Sequence, residues 1–143
     1  MKLKHVLAVS LLAGIAQVAL ARSHAQTYPL QPVLDAAQSD NAVQLYFADA
    51  AHPAVVSDLG NVTKSIRVAR KIDGEAESCN TAMTQALREL REYAHDQGAT
   101  AVIGIQTRFH ETHSTTATEF ACGTSMSAAA LKIQGELVKF DAK

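Results

Sequence analysis

The chain has 143 residues, 13 Lys and Arg against 14 Asp and Glu, a formal net charge of −1 and no tryptophan. That suits one small domain and argues against a protein that grips a phosphate backbone. Without Lys2, Lys4 and Arg22 the basic residues fall to 10 against 14 acidic ones, a formal charge of −4, and no run of Lys or Arg restores a local positive stretch. Nucleic acid is therefore not an expected partner, and the core has to come from small aliphatic side chains.

Residues 1–25 read as a secretory signal peptide. Lys2 and Lys4 precede an apolar run over residues 6–20, and Ala19-Leu20-Ala21 and Ser23-His24-Ala25 are both small-x-small cleavage patterns. The run of about 15 residues is short of the ~20 that span a bilayer as a helix, so cleavage after Ala21 or Ala25 leaves no integral membrane segment. The expectation is a periplasmic or secreted protein, and no cysteine follows the run to take a lipid.

The mature chain opens on residues 26–40, where Pro29 and Pro32 interrupt any period and a flexible or irregular segment is expected. Residues 41–143 read as one domain. Val43, Leu45 and Phe47 alternate with Gln44 and Tyr46 as in a first strand. Residues 50–60 read as a connection. A second strand is expected over 62–72, with Ile66 and Val68 on one face and Lys64, Arg70 and Lys71 marking an edge position. Asp73-Gly74 ends it.

A helix follows, with Ser78 as the expected N-cap behind Glu75 and Glu77, and Gly98 as a left-handed C-terminal cap. Cys79, Met83, Ala86, Leu87, Leu90 and Ala94 recur at spacings of three and four and draw one buried stripe. Residues 101–109 alternate as a strand, with Ala101, Ile103, Ile105, Thr107 and Phe109 on one face. A polar hairpin tip over 111–115 leads into a return strand over 116–133. Phe120 and Cys122 are there at one parity and Leu131 and Ile133 at the other, so a bulge is expected, with Gly123 its site. Residues 136–140 read as a last short strand. The order strand, strand, helix, strand, strand predicts the α+β class: a small mixed or antiparallel sheet with one helix packed on one face.

Few residues carry chemistry. Cys79 and Cys122 are the only cysteines; in an exported chain, at a helix start and on a strand, they are expected to form a structural disulfide. A redox pair would keep its thiols in a Cys-x-x-Cys, which 42 intervening residues do not resemble. His110, Glu111 and His113 cluster at the hairpin tip and could supply part of a divalent-metal site, completed by His52 or a second subunit. No Gly-x-Ser-x-Gly elbow and no Gly-x-x-x-x-Gly-Lys-Ser/Thr phosphate loop occurs, so neither a catalytic set nor a nucleotide cradle is expected.

Cys79-Asn80-Thr81-Ala82-Met83, Gly98-Ala99-Thr100-Ala101-Val102-Ile103-Gly104, Thr118 through Gly123 and Ala128 through Lys132 resemble small exported bacterial proteins often labelled "excinuclease ATPase subunit". That label finds no nucleotide loop here to support it. More distantly, residues 78–135 resemble the RcsF domain and the YbjQ family. The RcsF resemblance implies a disulfide matching Cys79 and Cys122, with two cysteines here where that domain has four. The YbjQ resemblance implies heavy-metal binding and a homo-oligomeric ring, with Thr100 where that family usually has Asn. The resulting expectation is a non-enzymatic, disulfide-stapled envelope module that works through contacts with a protein partner. Its alternative is a periplasmic metal-binding protein that uses His110 and His113.

Overall fold

The computed structural model of the chain describes residues 23–37, 42–70 and 74–141. The apolar run of the expected signal peptide and residues 71–73 lie outside the described residues. Those that are described form β1 (His24–Pro29), α1 (Gln31–Ala36), β2 (Gln44–Phe47), β3 (Val55–Ala69), α2 (Glu75–Asp96), β4 (Ala101–Phe109), β5 (Thr112–Ser114), β6 (Glu119–Thr124) and β7 (Ala128–Phe140). The strands make one mixed sheet in the order β1-β6-β7-β4-β2, with β3 along β7 and β5 along β4. Only β2 runs parallel to its neighbour, β4. This is an α+β fold with α2 on one face of the sheet.

Within the expected irregular segment, residues 26–37 form the end of β1 and all of α1. β1 pairs with β6 from His24↔Thr124 to Pro29↔Glu119, and Pro32 sits in the first turn of α1, where a missing N–H costs nothing. In β1 only Tyr28 is buried. A strand that turns a single residue inward has no period for sequence reading to detect. β3 likewise begins at Val55, seven residues before the expected start. Its first third is exposed, and its register slips between Asp58 and Asn61 beside Gly60 at φ 96°. Among the described residues β3 pairs only with β7 and so is an edge strand, as Lys64 led one to expect, and Lys64 lies 4.3 Å over the Tyr93 ring on the helix side.

The long helix α2 starts one turn before Ser78. Gly74 at φ 111° occupies the cap, Glu75 and Glu77 complement the dipole, and Ser78 is buried in the helix, its hydroxyl donating to the Gly74 carbonyl at 3.1 Å. The other end follows the expected pattern. Gly98 at φ 76° donates to the His95 carbonyl and Ala99 to the Ala94 carbonyl, the two bonds of a Schellman cap. Cys79, Ala82, Met83, Ala86, Leu87, Leu90 and Ala94 are all fully buried against the sheet.

In β4 the alternation changes phase inside the strand. Ile103 pairs with Glu136 but Gln106 pairs with Gln134, so β4 carries one residue more than β7 across the step, and Gly104 takes φ 59° there. Val102, Ile105 and Thr107 therefore face α2, and Ile103 does not share their face. The expected single return strand is two. Residues 125–127 turn the chain between β6 and β7, with Ser125 donating to the Ala128 carbonyl, and this turn changes the parity. Gly123 is thus not a bulge; a Cβ on it would overlap the Phe109 ring. The small residue Ala129 belongs to the core.

Candidate functional site: the hairpin tip and the open face of the sheet

At one end of β4 the helix face is closed by a covalent staple. Cys79, in the first turns of α2, is bonded to Cys122 on β6 with a Cα–Cα distance of 5.9 Å, and both are fully buried. Both thiols are consumed, which leaves no cysteine among the described residues to bind a metal. The bond joins helix to strand as the sequence implied, although β6 pairs with β1 and β7 and is not the hairpin partner of β4.

The tip is tighter than expected. Phe109 pairs with Thr112, so His110 and Glu111 alone make the turn, and His110 takes φ 50°, a left-handed conformation that two-residue hairpins require and His tolerates. The His110 ring stands edge-on to Phe109 with centroids 4.3 Å apart. His113 pairs across with Arg108. Among the described residues no group of three or more His, Cys, Asp or Glu lies close enough to hold a metal ion, so His110, Glu111 and His113 do not form a three-ligand set within one chain. His110 sits in the turn and His113 on β5, opposite Arg108 of β4. His52 cannot complete the set either. It stacks on Phe140, with centroids 5.9 Å apart, near the start of β4. A nine-residue strand puts that end about 30 Å from the tip.

The face of the sheet turned away from α2 is polar and holds two depressions. One, of about 400 Å³, is lined by Asn61, Thr63, Gln106, Gln134 and Glu136. The other, of about 350 Å³, lies beside the hairpin tip and is lined by Arg67, Arg108, Lys132, Phe109, His110 and Ala130. Arg108 is directly opposite Lys132, Lys132 is opposite Ser65, and Arg67 is opposite Ala130, one diagonal step from Lys132. None of the three cations is in an ion pair among the described residues. They stand 41 and 24 residues apart in the chain, so a scan for local Lys/Arg runs passes over them. Their one shared signal is an outward parity, each on its own strand.

No curated protein matches this sequence. Among solved structures, the fold is similar to a crystal structure of a protein of unknown function from the DUF74 family of Pediococcus pentosaceus, with a TM-score of 0.51 over 69% of this chain and 98% of that one. At 9% identity the likeness is one of fold. Over residues 51–129, which span β3, α2, β4, β5, β6 and both cysteines, the chain matches a family model described as "Putative heavy-metal-binding". That match starts upstream of the expected core of 78–135 and covers more than half of the sequence, so the chain belongs to the YbjQ_1 family.

Proposed function

We propose that the chain is a periplasmic or secreted metal-binding module that takes a divalent ion at the β4–β5 hairpin tip through His110 and His113. The family description carries this reading. It is supported by two imidazoles, donors well suited to zinc, copper and nickel, one in the two-residue turn and one three residues on in β5. One chain supplies two of these donors, so water or a second copy fills the remaining positions, and in the second case metal binding and self-association are linked. Export is supported by the signal-like residues 1–25 and by the buried disulfide, a bond that persists in oxidising compartments. Processing after Ala21 would leave β1 whole, whereas processing after Ala25 would remove two residues that pair with Thr124 and Gly123.

Calorimetric titration of the purified protein with zinc, copper and nickel, run beside light scattering, tests the reading. Saturable binding that weakens at least tenfold in the His110→Ala, His113→Ala double variant is expected, with an increase in mass on metal addition. An affinity indifferent to both histidines would show the tip to be a solvated turn.

A further inference from the structure

We propose that the depression between Arg67, Arg108 and Lys132 is a binding site for a small tetrahedral oxyanion of the phosphate and sulfate class. This site adjoins the proposed metal site, with His110 on its wall, but does not depend on that reading. Placing Arg108 directly across from Lys132 on neighbouring antiparallel strands sets like charges side by side, an arrangement that weakens a sheet. Arg67 adds a third positive charge one diagonal away, within reach of long side chains. No carboxylate among the described residues pairs with any of them. A dianion in the depression would relieve that repulsion, and the two guanidiniums can each donate paired N–H bonds to oxygens of one anion, with the Lys132 ammonium as a point charge.

The shape fits the same occupant. Ala130 is opposite Arg67 and precedes Lys132 by two, so a methyl group stands on the floor where any longer side chain would fill the space. The tip residues Phe109 and His110 wall one side of a volume of about 350 Å³, enough for a single oxyanion with its remaining water. The positive charge is also confined. Further along the same face the sheet presents Thr63, Asn61, Gln106, Gln134 and Glu136, so the cations do not form the stripe that tracks a polyanion. A free oxyanion, and not a nucleic acid, matches this charge distribution.

The test is calorimetric titration of the purified chain with sodium phosphate and with sodium sulfate, in chloride buffer at matched ionic strength, alongside amide NMR shifts. Saturable phosphate binding is expected, with shifts concentrated at residues 65–67, 108–110 and 130–132. Arg108→Gln should weaken it at least tenfold, while Arg88→Gln, which removes an exposed charge from α2, should leave it unchanged. Lys132→Gln stands in if Arg108→Gln melts early, and Arg108→Lys should retain part of the affinity. No heat above the chloride baseline would overturn the proposal, as would an equal loss in Arg88→Gln. Short single-stranded DNA that competes more strongly than phosphate would also overturn it, in favour of a polyanion surface.

Discussion

The two faces of the sheet are built from the same strands and obey opposite rules. Towards α2, Phe120, Ile105, Ile133 and Leu137 are essentially inaccessible and pack with Met83, Leu87 and Leu90, and a disulfide crosses from helix to strand. On the other face, Arg108, Lys132, Gln134 and Thr63 stand over two open depressions, with unpaired cations side by side. Alternation lets one backbone serve both purposes. Stability is concentrated on the covered face, which leaves the open face free to hold charges that contribute nothing to folding.

The largest test of that division is Phe120→Ala. Emptying a fully buried aromatic site on the covered face should cost about 3–5 kcal/mol in urea denaturation, and a loss below about 1 kcal/mol would show that this face is not the stabilising one. Next comes the staple. Replacing Cys79 and Cys122 together with Ala frees a segment with a sequence separation of 43 and should cost about 2–4 kcal/mol, read from the shift in denaturation midpoint against the oxidised protein. Gly135→Ala is smaller and more local. Its Cβ would lie 2.6 Å from a methyl of buried Val102 and 3.3 Å from the Ile103 carbonyl, so a loss of about 1–3 kcal/mol is expected by thermal melting. The smallest effect belongs to the open face. Arg108→Gln should change stability by no more than about 0.5 kcal/mol, with a sign towards stabilisation because a like-charge neighbour is removed. A large destabilisation there would mean that the cations hold the sheet together.

Legibility tracked the length of the pattern. α2 runs for 22 residues, so its buried stripe and its Gly98 cap recur or stand out often enough to be read from residue spacing. β4 was equally plain in extent, at Ala101–Phe109, yet Ile103 was grouped with Ile105 and Thr107 on one face, because the bulge falls at Gly104 and not at Gly123. A glycine in a strand signals that a bulge or a close approach is present. Which of the two it is depends on the partner strand: for Gly104 an extra residue against β7, for Gly123 the Phe109 ring.

The α+β class, the long helix and the cysteine pairing followed from local chemistry: periodicity, capping, and two cysteines with no other partner. Strand order, the parallel placement of β2, the ordering of β1 and the grouping of Arg67, Arg108 and Lys132 followed from register between segments far apart in the chain. Local propensity acts over a few residues and leaves its trace in spacing. Register depends on how whole faces are buried against one another, so three cations on three strands become neighbours only when α2 has fixed which side of each strand faces inward.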